Sequence, residues 1–179
     1  MEYFEVYNEK GESLHKVVER GTKLKKGEFF LVVHVWLQNP FGEYLIQQRA
    51  KPTDPTPFQW ATTTGIPNVN ESLEDAAVRE TKEELGLTLD KHELKKCRVI
   101  TTTQSKYQTI THVYRATIQA SLDALKLDGN EVKAVRFVNL KTILAMIDKG
   151  GFWDYRKLLN DAKYFTALEG RYHENTICW

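Results

Sequence analysis

The densest apolar stretch of the chain runs from Phe29 to Leu37, Phe-Phe-Leu-Val-Val-His-Val-Trp-Leu. It is β-branched, aromatic and nearly continuous, the pattern of a buried strand. Asn39-Pro40-Phe41-Gly42 supplies turn residues, and Tyr44 to Gln48 makes a second strand, so the pair predicts a hairpin. Tyr3 to Tyr7 alternates like a strand and meets a turn at Asn8-Glu9-Lys10-Gly11, after which Leu14 to Arg20 can pair back. Lys51 to Pro57 carries Pro52, Pro55 and Pro57, which excludes regular structure there. Ser72 to Leu85 predicts a helix. Val99 to Thr103, Thr109 to Gln119 and Val132 to Val138 predict strands. Thr142 to Asp148 predicts a helix stopped by Gly150-Gly151, and Tyr155 to Leu168 a last one. There is no internal repeat, low-complexity tract or clear linker. The expectation is one domain over residues 1–179, of the α+β or α/β class.

Composition narrows the classes. Hydrophobic residues make up 41% and charged residues 27%, a globular balance. The net charge of +1 lacks the basic excess of a nucleic-acid binder. No apolar run approaches the roughly 18 residues needed to span a bilayer. Met1-Glu2-Tyr3-Phe4-Glu5 has no basic region leading into an apolar stretch, so no secretory signal is visible. Cys97 and Cys178 stand far apart, which argues against a zinc pattern or a disulfide framework. The expected compartment is the cytoplasm, with no membrane or nucleic-acid partner.

The chemistry concentrates between Gly65 and Leu87, GIPNVNESLEDAAVRETKEELGL. Ser72 with Asp75 three residues on resembles a capping box, and Gly86 is a natural helix stop. At about 100° per residue, Leu73, Ala77, Thr81 and Leu85 form one stripe suited to packing on a sheet. Glu80, Glu83 and Glu84 fall on an adjacent stripe at i, i+3 and i+4. Like charges at this spacing repel by a few tenths of a kcal/mol per pair. A cation bound among them reverses the sign, and hard carboxylate oxygens suit Mg²⁺, with Mn²⁺ as substitute. Taken alone, such a run reads more readily as a solvated acidic face.

The wider pattern is more specific. Gly65, then Glu71 after five residues, then Arg79-Glu80-x-x-Glu83-Glu84-x-Gly86 after seven more resembles the Nudix box, and Leu87 closes it. Thr81 stands where the family usually has an aliphatic residue, and its methyl can still face the core. Thr64 replaces a glycine that often precedes the box. Asn70 replaces the glycine before Glu71, and Asn tolerates left-handed backbone better than most residues.

The resemblance implies a mixed sheet sandwiched between helices, with the box forming loop–helix–loop. By it, Glu83 and Glu84 would be the principal metal ligands, and Glu80 a further ligand or the group that orients the attacking water. Arg79 would hold the carboxylates, Glu71 would close the loop onto the helix through Arg79, and the Gly65 carbonyl would face the metal. Glu131 lies where several family members add a later carboxylate, and competes with a surface glutamate at a strand start. Arg49 is placed where the family often meets phosphate. The implied reaction is Mg²⁺-dependent hydrolysis of a diphosphate bond in a nucleotide-like small molecule, by a monomer or homodimer.

Beyond the box, Val6 to Gly11, Arg20-Gly21, Gly27-Glu28, His34-Val35-Trp36 and Gln47-Gln48-Arg49 resemble the isopentenyl-diphosphate-isomerase branch of the family. The isomerases need a cysteine just before the loop glycine and a histidine just after it. Thr64 and Ile66 stand there instead, which favours a hydrolase. A nucleotide-sensing module without catalysis is a further alternative. His34 and His112 read as sheet residues rather than catalytic groups. Phe58 and Trp60 read as packing residues. The aromatic C-terminal region, from Trp153, Tyr155, Tyr164 and Phe165 to Tyr172 and Trp179, reads as completing the core.

Overall fold

A computed structural model describes residues 2–52, 57–103 and 108–168. Cys178, Tyr172, Trp179 and part of the proline-rich stretch therefore lie outside the described residues. The chain opens with an antiparallel pair, β1 (Tyr3–Tyr7) and β2 (Ser13–Glu19). Among the described residues, seven strands then form one mixed sheet. Its centre is β3 (Phe30–Gln38), which runs parallel to β8 (Thr109–Thr117) along nine register pairs from Phe30↔Thr109 to Gln38↔Thr117. The outer strand β7 (Lys95–Thr102) lies antiparallel to β8. On the other side, β4 (Tyr44–Arg49) pairs with β9 (Val132–Val138).

The expected β3–β4 hairpin forms, but it is short. Its turn is held by the Asn39 side chain, which accepts from the amides of Phe41 and Glu43, and by Gly42 at φ 83°. The two strands share only Leu37↔Leu45 and Gln38↔Tyr44 before they part. The gap is filled by residues 60–65. β5 (Trp60–Ala61) pairs with β4, and β6 (Thr63–Gly65) pairs with β3, so the chain changes partner at Thr62. These two strands are too short for periodicity to reveal.

The strand β3 is apolar on both faces because helices cover both. Val33, Val35 and Leu37 face a core with Ala76, Ala77 and Leu85 of α1 (Leu73–Leu85). Trp36 faces the opposite core, with Ile143 and Ile147 of α2 (Leu140–Asp148), Phe152, Tyr155, Tyr164 and Phe165. This is the sheet between helices that the sequence resemblance implies. Of the C-terminal aromatics, Tyr155, Tyr164 and Phe165 complete the second core, as expected, and Trp153 and Trp60 pack against it.

One element differs from expectation. The helix predicted over Tyr155 to Leu168 is instead α3 (Tyr155–Leu158), a loop, and a 3₁₀ turn over Tyr164–Leu168. Asn160 takes left-handed backbone at φ 52°, the amide of Asp161 donates to the Arg156 carbonyl, and that of Asn160 to Lys157. This is the Schellman ending, with Asn in the place glycine usually holds. Arg98 then grips Asp161 with two guanidinium nitrogens at 2.5 and 2.9 Å, fixing the loop against β7.

Candidate active site

The helix α1 begins as the sequence suggests. Ser72 caps it, its hydroxyl accepting from the Asp75 amide at 3.1 Å. The reciprocal half of a capping box is altered, because the Asp75 carboxylate accepts from the Ser72 hydroxyl at 2.6 Å. Gly86 ends the helix at φ 68°, where a Cβ would run into Lys126. Thr81 is buried, and its hydroxyl is satisfied by the Ala77 carbonyl at 2.8 Å, which leaves its methyl for the core.

Arg79 is the hub of the box. Its Nε and Nη2 grip both oxygens of Glu71 at 2.8 and 2.9 Å, a bidentate pair. Its Nη1 donates to Glu80 at 2.8 Å and to Glu83 at 3.0 Å, and Nη2 reaches the Ile66 carbonyl at 3.2 Å. Glu71 also accepts from the Asn68 amide at 2.7 Å. The loop from Gly65 to Glu71 is thus stapled to α1 through one guanidinium. Asn70 sits within that loop at φ 65°, the left-handed conformation that the missing glycine would have supplied. Thr64, by contrast, lies in β6 opposite His34, an extended position where a β-branched residue is at ease.

Gly65 explains its own identity. A Cβ there would occupy the space of the Glu80 carboxyl group, which lies directly against the glycine. Glu80 is thereby pressed between β6 and Arg79, and burial pushes its carboxyl up to about 7 despite the guanidinium. Glu84 is buried more deeply, at 6% exposure, and accepts from Gln47 Nε2 at 2.8 Å. Desolvation pushes it up to about 8, with the negative charges of Glu80 and Glu131 adding to the effect. Glu83 turns outward, at 59% side-chain exposure.

Glu80 and Glu83 therefore share Arg79 Nη1, whereas Glu84 is held by Gln47, although all three lie on one side of the helix. Among the described residues, no three His, Cys, Asp or Glu side chains form a closed cation cage. What α1 offers is one buried carboxylate, Glu84, and one half-buried, Glu80, both pushed up by desolvation, with a third at the rim. That donor set fits a hard divalent cation, because a positive charge beside Glu80 and Glu84 would restore both to the anionic form. Glu131 lies before β9, where its charge reaches both; it also pairs with Lys51 at 2.8 Å. Arg49 ends β4, with its guanidinium 5.0 Å from the Trp153 ring centroid.

Sequence reasoning passed over Gln47 and Thr63. Thr63 Oγ1 donates to Gln47 Oε1 at 3.2 Å, and Gln47 in turn holds Glu84. The available signal was a glutamine two residues beyond Leu45 on a buried strand, on the face that α1 covers. The histidines behave as sheet residues. His34 is buried beneath Tyr155 and Tyr164, and desolvation lowers it to about 3. His112 is lowered to about 4 by burial, with the Lys96 charge adding to the effect and Glu74 opposing it.

With this geometry in hand, comparison with known proteins is decisive. The Nudix domain profile matches residues 28–161. The chain belongs to the Nudix hydrolase family. This Nudix protein is 34% identical over 161 residues to an uncharacterized Nudix hydrolase of Listeria innocua, covering 87% of this chain and 90% of that one. It is 31% identical over 147 residues to Nudix hydrolase 3 of Arabidopsis thaliana, covering 76% of this chain and 19% of the plant protein. In structure it is similar to DR0079 of Deinococcus radiodurans, with TM-score 0.67 and 21% identity over 89% of this chain and 98% of that one. It also resembles the Nudix domain of Shewanella oneidensis NrtR, solved with ADP ribose, at TM-score 0.59 and 18% identity over 81% and 92% of the two chains. A third likeness is to a bifunctional NMN adenylyltransferase/ADP ribose pyrophosphatase of Francisella tularensis, solved with AMP and manganese. There the TM-score is 0.58 at 20% identity, over 78% of this chain and 42% of that one. These structural likenesses concern the fold. Among the described residues, no helix is long and apolar enough to cross a membrane.

Proposed function

We propose that this Nudix protein hydrolyses the diphosphate bond of a nucleoside diphosphate linked to another group, with Mg²⁺ as cofactor and Mn²⁺ as substitute. The observation that carries the reading is the pair of desolvated carboxylates on one helix, Glu84 buried and Glu80 half-buried against Gly65. Desolvation opposes the charge on both carboxylates beyond what Arg79 and Gln47 offset, and a bound divalent cation would relieve that cost. Glu80, Glu83 and Glu84 would hold the metal, with the Gly65 carbonyl and Glu131 as further oxygen ligands. When bound, a divalent cation neutralises charge on the phosphates and lowers the pKa of a coordinated water.

The chain's own groups do the positioning. Arg79 fixes Glu80 and the loop through Glu71, and Gln47 fixes Glu84. Arg49, over the Trp153 ring, is suited to a phosphate oxygen by its planar fork. Ligands of structural neighbours support a nucleotide-like substrate, since one is solved with ADP ribose and another with AMP and manganese. We place the activity in one domain over residues 1–179, acting in the cytoplasm as a monomer or homodimer.

The isomerase alternative lacks its donors. Ile66 packs against the cluster of Phe4, Val6 and Phe30, so no metal-binding or proton-moving group follows the loop glycine. The test is a screen of nucleoside di- and triphosphates, nucleotide sugars, dinucleoside polyphosphates and coenzymes with Mg²⁺, scored by released products. Turnover of a diphosphate-linked nucleoside that Glu84→Gln abolishes is the expected result. Tight nucleotide binding with no product from any compound would overturn the reading in favour of a sensor.

A further inference from the structure

The box is reached through a weak point in the sheet. At Thr62 the chain leaves β4 for β3, and the register pairs on either side, Ala61↔Gln47 and Thr63↔Val35, belong to different strands. The Thr62 amide is buried and donates to the hydroxyl of Tyr155 at 3.1 Å. The Thr62 hydroxyl donates to the Val35 carbonyl at 2.5 Å. Tyr155 comes from α3, 93 positions later in the chain, and is fully buried. Its neighbours brace the same segment. The Trp60 amide donates to the Gly151 carbonyl at 2.9 Å, the Trp153 amide to the Trp60 carbonyl at 3.0 Å, and Gln59 Nε2 to the Gly150 carbonyl at 2.8 Å.

Two paths lead from this contact to the site. Gly65 lies three residues beyond Thr62, at the end of β6 and against Glu80. Thr63 adjoins Thr62 and begins the relay through Gln47 to Glu84. A shift of Thr62 would therefore be felt by both Glu80 and Glu84. We infer that Tyr155 is a positioning residue for the active site: its hydroxyl locks the strand crossover at Thr62 and so fixes the Gly65 backbone and the Thr63–Gln47–Glu84 relay. The role lies outside the box, in the C-terminal segment. The consequence for metal affinity rests on the function proposed above, whereas the local rigidity does not.

Tyr155→Phe removes the acceptor and leaves the ring. Tyr44→Phe is the matched control, because the Tyr44 hydroxyl also ties the C-terminal segment to β4, donating to the Leu168 carbonyl at 2.8 Å. Amide hydrogen exchange on the metal-free full chain, and Mn²⁺ affinity by water-proton relaxation, are the two readouts. Leaving the Thr62 amide unpaired should speed exchange over residues 62–65 about tenfold and weaken Mn²⁺ binding by about the same factor. Tyr44→Phe should do neither, whatever it does to the melting temperature. Unchanged exchange at residues 62–65 in Tyr155→Phe, or an equal effect of both variants, overturns the inference. If wild type takes up no Mn²⁺, the proposed function fails and the exchange comparison still decides the role of Tyr155.

Discussion

Replacing Glu84 by Gln should stabilise the protein while destroying its activity. The wild-type carboxyl is buried against Gln47 and pushed up to about 8 from an ordinary 4.5. Between these values the unfolded chain has released the proton and the folded chain retains it, so stability falls as pH rises. Each pH unit costs about 1.4 kcal/mol, and from 4.5 to 7.0 the loss reaches about 3 kcal/mol. Gln has the shape of the protonated acid and carries no such penalty. Urea unfolding of both proteins in a chelator, at pH 4.0 and pH 7.0, measures the effect. The variant should match wild type at pH 4.0 and exceed it by about 3 kcal/mol at pH 7.0. Taking the difference between the two proteins cancels the other titrating groups to first order. Adding Mg²⁺ should raise wild-type stability and leave the variant unmoved, while turnover of the variant drops about 100-fold or more. A stability difference independent of pH would refute the view that Glu84 is a buried acid awaiting a counter-charge.

Other perturbations probe separate parts of the structure. Arg79→Lys keeps the charge but loses the bidentate hold on Glu71, and thermal unfolding should show a loss of about 2 kcal/mol. Asn70→Ala places an unsuited residue at φ 65° and should cost about 1 kcal/mol, with Asn70→Gly recovering the wild-type value in the same denaturation assay. His34 is lowered to about 3, so below pH 6.5 the unfolded chain gains a proton that the folded one refuses. At pH 5.0 this removes about 2 kcal/mol relative to pH 8.0, and a His34→Asn protein should lack that part of the acid-side loss.

The legible parts of this fold were those in which one local pattern decides the outcome. The run from Phe29 to Leu37 announced the central strand because helices cover both its faces. Ser72 and Gly86 announced the ends of α1 because cap chemistry is local. The segment over Trp60–Gly65 was illegible, since its two short strands exist only because β3 and β4 part company. The Tyr155–Leu168 stretch breaks into α3 and a 3₁₀ turn because Asn160, which carries less of a stop signal than glycine, supplies the left-handed ending. At the site, spacing placed Glu80, Glu83 and Glu84 on one side of α1. It could not show that Glu83 stays exposed while Glu84 is buried against Gln47, because burial and the Gln47 contact are set by the tertiary fold.

The buried hydroxyl of Tyr164 accepts from Trp36 Nε1 at 2.9 Å and meets His34 Nδ1 at 2.7 Å, contacts spanning 128 and 130 positions. During synthesis the two sides of β3 must therefore be covered at different times. The side under α1 gains its helix once residue 85 has emerged. The other side keeps an indole and an imidazole uncovered until nearly the whole described chain has left the ribosome. A nascent chain stalled before residue 150 would display that aromatic surface to chaperones, and so would any product truncated there.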